Sequence, residues 1–467
     1  MKWIALLLSL SLLVFTHEMG HLGFAKLFHT RVRRFYLFFN WGFSLFKAKK
    51  FNGKWHFRFL SSKTPDEWDE KNLSPEDQDN TLWGIGWVPL GGYCDIAGMI
   101  DETKGTDDLE STPQPWEYRT KPAWQRLCII SGGVLVNFVS ALLLYGLIFA
   151  HWGKDELPLR SASLGYQYAE VLHQQGFVDG DIIYAIDGKE YYEISDVNKD
   201  LLLNNPNIVT VRRDTSLVDI HLSGNLAQQL NESGEKQLMA IRMPFVIKDL
   251  TADSQAKRAG MMPGDSIVSI NGIHMPAYQD LTATFAENKG KELTIGFFRN
   301  GTFDSLPVTI DDNGRIGVQV ETHIAKLFKD FHHIDYTLWQ AIPVGISHGW
   351  KTLATYVSSL KLLFAPGGTK NLGGFGAMAS LFPSSWDWQA FWELTALLAL
   401  ILAFMNVIPI PGLDGGHILF TLWEIVTGRK PSEKFLSVAQ NIGMILLLAL
   451  MVLANGNDLW RWLSGKF

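Results

Sequence analysis

The stretch Val14-Phe15-Thr16-His17-Glu18-Met19-Gly20-His21-Leu22-Gly23-Phe24-Ala25 decides how the rest of this chain is read. His17 and His21 are four residues apart. On a helix they project from one face, one turn apart, the spacing at which two imidazoles grip one metal ion. Glu18 lies between them, where its carboxylate can take a proton from a metal-activated water. The flanks, Trp3 to Phe15 and Leu22 to Phe28, are mostly apolar. Ionisable groups inside an apolar run of membrane-spanning length are costly and mark function. Two plainer readings compete, a chance His-Glu-x-x-His string and a cleaved signal peptide. Against the second, only Lys2 makes an n-region, no Ala-x-Ala-like site follows, and the charged cluster falls where the apolar region should end.

Composition fits a chain divided between membrane and water. Hydrophobic residues make up 47% of the 467 and charged ones 19%, intermediate between a soluble enzyme and a helix bundle in lipid, so the charge must be segregated along the chain. The net charge of −6 gives no basic footprint for nucleic acid. Cys94 and Cys128 form neither a disulfide framework nor a metal pair and read as small apolar fillers. The 17 tryptophans and 29 phenylalanines suit membrane interfaces, where amphipathic rings gather.

Outward from the opening stretch, the first span runs from about Trp3 to Phe28. Lys26, Arg31, Arg33, Arg34, Lys47, Lys49 and Lys50 follow, with no acidic residue until Asp66. The positive-inside rule puts this loop in the cytoplasm and the histidines toward the cytoplasmic end of the span. Trp55 to Leu60 alternates like a strand, and Ser61 to Asn80 is an acidic, solvated loop. Leu82 to Ile100, around Pro89-Leu90-Gly91-Gly92-Tyr93, reads as a short hairpin dipping along the membrane. A second span covers Trp124 to about Trp152 and carries one conspicuous polar residue, Asn137, whose plain reading is interhelical glue.

From Gly153 to about Glu321 the hydropathy falls and the chain repeats itself. Gly176-Phe-Val-Asp-Gly180-Asp181-Ile-Ile-Tyr-Ala-Ile186-Asp-Gly188 lines up with Gly260-Met-Met-Pro-Gly264-Asp265-Ser-Ile-Val-Ser-Ile270-Asn-Gly272, an offset of 84 residues. In each copy an alternating strand ends in an Asp-Gly or Asn-Gly turn. Helical stretches follow (Ile194 to Leu203; Tyr278 to Glu287), then further strands (Ile208 to Arg213; Leu293 to Arg299). The pattern resembles a tandem pair of PDZ domains, which accept an extended peptide, often a free C-terminus, as an added strand. A pair of small domains serving as spacers or a steric gate is the plainer alternative. Phe328 to Phe364 is amphipathic, like an interfacial helix. Gly373-Gly374-Phe375-Gly376 is a breaker. The third span is about Phe391 to Ile408 and the fourth Gly443 to Leu453 with its flanks, with Arg429, Lys430 and Lys434 between them. The expected domains are 1–152, 153–235, 236–323, 324–380 and 381–467.

Two histidines need a third protein ligand if one coordination position is left for water. Asn406-Val-Ile-Pro409-Ile-Pro411-Gly412-Leu413-Asp414-Gly415-Gly416-His417 fits best, because an apolar helix breaks at two prolines and presents Asp414 at the depth of His17 and His21. His417 is the rival and Glu424 a weaker one. Asp414 could also serve only as the N-cap of the next helix.

Together, His-Glu-Met-Gly-His, Gly133-x-x-x-Asn137, the two PDZ-like repeats and Asn406-x-x-Pro-x-Pro-x-x-Asp414-Gly resemble the site-2 protease family. The order matches its bacterial branch, the regulator-of-sigma-E proteases, over nearly the whole chain. The resemblance implies a polytopic α-helical membrane protein of about four transmembrane helices, with two inserted PDZ-like α/β domains and a membrane-associated β hairpin region. It implies a zinc metalloendopeptidase of the inner membrane, with Zn2+ on His17, His21 and Asp414 and Glu18 as base. Asn137 and Asn406 become candidates for substrate handling and for the oxyanion. Implied substrates are single-pass transmembrane proteins already trimmed by another protease, such as anti-sigma factors, and remnant signal peptides. The PDZ-like pair would lie outside the cytoplasm as a size filter or a dock for peptide C-termini, and the active site toward the cytoplasmic side. The chain departs from the family pattern in three places. The stretch Phe38-Phe39-Asn40-Trp41-Gly42-Phe43 stands where a Gly-Phe-Gly is usual, Val134 where Pro is usual, and Ser61 to Asn80 looks inserted. The competing class is a membrane-anchored PDZ scaffold with a non-catalytic metal site, which would have no need of Glu18.

Overall fold

The structure is a computed structural model and describes every residue except 63–67, 69–72, 90, 100–111, 234, 236, 365–371 and 465–467. Nine residues of the acidic 61–80 loop therefore lie outside the described residues. Four helices are long and apolar enough to cross a membrane. The chain divides into two units, one of Met1–Trp152, Tyr336–Val357 and Lys370–Phe467, the other of Gly153–Asp335 and Ser358–Thr369.

In the first unit, helix α1 spans Lys2–Leu27 with no proline to break its hydrogen-bond ladder, and the chain turns out of it at His29, whose φ is +53°. Five strands follow: β1 Val32–Leu37, β2 Ser44–Phe51, β3 Lys54–Ser61, β4 Leu82–Ile85 and β5 Tyr93–Ile96. Their order is β3-β2-β4-β1-β5. The expected hairpin within 82–100 is therefore corrected: β4 runs parallel to β1 on one side and β5 antiparallel to it on the other. The glycine-rich segment between them carries the chain across β1 instead of reversing it tightly. Gly86 and Gly92 lie where a side chain would meet the backbone of Phe38, Phe39 and Tyr36. The sheet folds back along α1, with Phe15 and Phe35 rings 5.9 Å apart. The hairpin that does form is β2–β3.

Helix α2, Ala123–Trp152, starts after Pro122 and ends at Gly153, which adopts φ +68°. Among the described elements it is central, packing against α1, α5 (Trp388–Val407) and α6 (Asp414–Thr427). Between them in sequence come α3, Leu338–Ser359, and α4, Phe375–Leu381. Gly345 of α3 approaches Gly146 of α2 so closely that a Cβ would strike backbone, which is how small residues let apolar helices pack. The last helix, α7, spans Glu433–Leu463. Its Asp458 accepts from the N–H groups of Gly374 (2.9 Å) and Ala377 (3.0 Å), capping α4 at the glycine breaker. Much of α7 is exposed on all sides (Ile445 68%, Val452 69%), as befits a helix solvated by lipid.

The second unit holds the repeat. One sheet joins residues 216–221, 208–213, 182–186 and 189–190, beside a two-stranded pair of 166–168 and 239–241; the other joins 302–309, 292–299, 266–270, 245–250 and 318–320. Helices Ile194–Leu203 and Tyr278–Glu287 bury Val197 and Leu201, and Leu281 and Phe285, against their own sheets. Asp187-Gly188 and Asn271-Gly272 all have positive φ, the mirror-image turn that suits a right-twisted hairpin. The Gly-Asp repeat has one structural use in both copies. Asp181 and Asp265 are fully buried, each takes the fork of an arginine (Arg213, Arg299), and each also accepts a backbone N–H, from Val178 and Met262.

Candidate metal centre

The site is assembled from three helices. On α1, His17 and His21 are nearly buried, and their rings meet edge to face with centroids 4.8 Å apart. Their Nε2 atoms are 3.2 Å apart. Asp414, the first residue of α6, brings Oδ2 to 3.2 Å from His17 Nε2 and 3.4 Å from His21 Nε2. The cluster is one helical turn on one side and a single carboxylate, 397 positions later than His17, on the other.

Glycines make the approach possible. The Gly20 inside the motif meets Gly132 of α2, where a Cβ on either would overlap backbone. A Cβ on Gly133 would come within 2.5 Å of His21 Nε2 and 2.7 Å of His17 Cε1, so both imidazoles rest on bare backbone. Gly415 and Gly416 likewise lie against the carbonyls of Ile408 and Ile410, and the loop after α5 can thereby turn at once into α6.

Hydrogen bonds fix which ring nitrogens face inward. His21 Nδ1–H donates to the Ile129 carbonyl at 3.0 Å, leaving the Nε2 lone pair for the cluster. Behind His17 lies Asn137, with no exposed surface. Its carboxamide is 3.5 Å from His17 Nδ1 and 2.8 Å from Thr16 Oγ1. The Thr16 hydroxyl also reaches the carbonyls of Leu12 and Leu13, each at 3.0 Å. One hydroxyl proton cannot serve both a carbonyl and an Asn137 oxygen. The structure places Asn137 Oδ1 toward Thr16 and Nδ2 toward His17; with the amide turned over, nitrogen toward Thr16 and oxygen toward His17, every group is satisfied: Thr16 donates to α1, Asn137 donates to Thr16, and His17 Nδ1–H donates to Asn137. His17 then also presents a bare Nε2.

Two imidazole lone pairs and a carboxylate oxygen thus converge, and Asp414 Oδ2 is buried without a hydrogen-bond partner. Three acceptors packed at 3.2–3.4 Å repel one another unless a cation lies between them. Nitrogen and oxygen ligands at zinc distances in a tetrahedron are about 3.3 Å apart, so the residues fit that ion. Among the described residues this is the one group of three or more His, Cys, Asp or Glu side chains with metal-binding spacing.

The cluster opens on a cavity of about 150 Å³ walled by Glu18, Asn406, His417, Gln440 and the β5 residues Tyr93, Cys94 and Ile96. The sequence candidates are thereby sorted. Glu18 is on the cavity wall. His417 shares the wall with Gln440 but stands outside the donor cluster. Glu424 is elsewhere, in an ion pair with Arg126. Asn406 faces the cavity, its amide 3.4 Å from His17 Nε2, whereas Asn137 is sealed behind the ring. Thr16 and Gln440 escaped the sequence reading. Thr16 did carry a signal, a hydroxyl beside His17, while Gln440 sits unmarked in an apolar helix.

The model of peptidase family M50 matches residues 5–62 and 70–450. A Neisseria meningitidis protein named "Putative zinc metalloprotease" is 25% identical, covering 99% of each chain. The regulator of sigma E protease of Haemophilus influenzae is 26% identical over 97% of this chain and 98% of its own. That of Salmonella typhimurium is 26% identical over 98% of each.

Proposed function

The chain belongs to peptidase family M50, and from that premise we propose that it is an intramembrane zinc metalloprotease that cleaves membrane-spanning proteins. The observation that carries this reading is the buried, unpartnered Asp414 Oδ2 facing two imidazoles within an apolar helix bundle. His17, His21 and Asp414 are the proposed zinc ligands. When bound, zinc supplies Lewis acidity to the scissile carbonyl and lowers the pKa of a water toward neutrality.

The chain's own groups do the rest. Glu18 accepts the proton of the attacking water and delivers it to the leaving amine. Asn406, on the cavity wall, is the proposed hydrogen-bond donor to the developing oxyanion. Asn137 we assign to holding the His17 ring, a positioning role. A transmembrane helix hides its amides, so a substrate must first unwind, and weak helix formers near the cut favour this. The outer edge of β5 pairs with no other described strand, and its residues Tyr93, Cys94 and Ile96 line the cavity. It can hold an unwound segment by main-chain hydrogen bonds, as added strands are held at sheet edges.

Residues 153–235 and 236–323 we read as PDZ-like domains outside the cytoplasm, since the basic loops after α1 and α6 belong inside. The setting is a bacterial inner membrane, and the substrates are pre-trimmed single-pass proteins. The test uses full-length protein in detergent with a helix-destabilised transmembrane substrate, wild type beside Glu18→Gln. Expected is about one zinc in both and a 10²–10⁴-fold slower cut in the variant. Equal rates would overturn the role of Glu18, and protein that never holds zinc would overturn the metalloprotease.

A further inference from the structure

Beyond its first turn, α6 keeps few buried residues: Ile418 packs against the cluster of α1 and α2 side chains around Leu22 and Ile129, and the Phe420 ring lies 5.6 Å from that of Phe435. Of its residues only Gly415, Gly416 and Thr421 are buried, while Leu422, Trp423, Ile425 and Val426 are exposed. The two glycines seat the first turn on the preceding loop. Asp414 opens this helix, so whatever fixes α6 against α2 also fixes Asp414.

The second anchor is polar. Glu424 accepts from Nη2 of Arg126, in the first turn of α2 and only 7% exposed. Arg126 is itself braced: Nε donates to the Lys121 carbonyl at 3.0 Å, and its guanidinium lies 5.9 Å from the centroid of the Tyr118 ring. Thr421, one turn before Glu424 on the same face of α6, is buried and donates to the His417 carbonyl at 2.8 Å. Three residues beyond Arg126, again one turn, comes Ile129, whose carbonyl orients His21. One turn of α2 therefore touches both halves of the cluster, His21 directly and Asp414 through α6.

We propose that Arg126 and Glu424 are positioning residues whose ion pair sets Asp414 against His17 and His21. The proposal rests on the reading of those three as zinc ligands. Glu424 is about 15 Å along the helix from Asp414, a lever long enough for its loss to misplace a ligand that zinc holds to within about 0.2 Å. Arg126 is buried and Glu424 partly so, and removing one partner strands the other, whereas exchanging the two keeps the attraction.

The experiment measures zinc affinity of the full chain in detergent by competition with a chromophoric chelator. Glu424→Gln and Arg126→Gln are each expected to bind about 10–100-fold more weakly, as when groups that orient metal ligands are removed. The exchange Arg126→Glu/Glu424→Arg is expected to recover most of that loss, which a merely structural role would not produce. Wild-type affinity in either monodisperse Gln variant overturns the proposal. Should those variants not fold, Arg126→Lys keeps the charge without the fork; severalfold weaker binding supports the proposal and wild-type affinity overturns it. His21→Ala is run alongside. If it keeps wild-type zinc affinity, the ligand assignment is what fails.

Discussion

Asp414 in the helical unit and Asp265 in the sheet-rich unit are both aspartates drawn into low-exposure surroundings, and their fates differ. Asp265 has every need met: Arg299 Nε on Oδ1 and Nη2 on Oδ2, both at 2.7 Å, and the Met262 N–H at 2.8 Å. Asp181 repeats the arrangement with Arg213 and Val178. Asp414 instead turns an oxygen toward two imidazoles and leaves it without a hydrogen bond. A buried carboxylate whose partners lie within the chain holds a loop in shape. One whose partner is missing from the chain is waiting for a ligand. Motif strength does not separate them, since Gly-Asp recurs twice and the Asp414 segment once. The state of the oxygens does.

The comparison breaks most easily at its functional end. Asp414→Ala should lower zinc affinity by more than about 100-fold and abolish proteolysis, without lowering the thermal stability of the metal-free chain. A variant that still binds zinc tightly would move the third ligand to His417. Asp265→Ala should do the reverse. It leaves Arg299 and the Met262 N–H without their acceptor and should cost about 3 kcal/mol of unfolding free energy, with zinc affinity as in wild type by chelator competition.

The two asparagines sharpen the same contrast between a satisfied group and a waiting one. Asn137→Leu removes the acceptor for His17 Nδ1–H and should weaken zinc binding about 10–100-fold, while Asn137→Asp, which keeps an acceptor there, should retain it. If Leu is tolerated and Asp is not, the Asn137 amide presents its nitrogen, not its oxygen, to His17. Asn406→Ala should hold zinc normally and lower kcat by about 10²-fold or more.

The smallest effect lies at the surface of the second unit. There His333 Nδ1 donates to Asp155 at 2.7 Å, joining strands 154–156 and 332–334. The Asp155 hydrogen bond raises the His333 pKa above its ordinary value. A raised folded-state pKa contributes stability that is full below the unfolded value near 6.5 and is lost as pH climbs through the folded one. Melting curves of wild type and His333→Gln should therefore differ at pH 6 and converge toward pH 9. A gap that widens with pH would reverse the assignment.

Much of this molecule could be read along the chain. The helices Ile194–Leu203 and Tyr278–Glu287 and the strand Ile208–Arg213 have the bounds that periodicity suggests, because turn chemistry and alternating burial are local. Strands β4 and β5 could not be placed that way. Their partner is β1, some fifty residues earlier, and a glycine-rich turn looks the same whether it reverses a hairpin or crosses a strand.

What the sequence determined by itself is whatever one helical turn or one strand can carry. That covers His17, Glu18 and His21 on one stretch of α1, four apolar segments of spanning length, and the paired Gly-Asp loops. Only the tertiary structure shows that Asp414, and neither His417 nor Glu424, lies against both imidazoles, with Asn137 behind the ring and Asn406 before it. It also tied Arg126 to Glu424. Those choices depend on how closely α1, α2 and α6 approach, which is set by bare backbone at Gly20, Gly132, Gly133, Gly415 and Gly416 acting together. The sequence shows each glycine but not what it meets, because van der Waals contact is a property of two surfaces and the chain displays them one at a time.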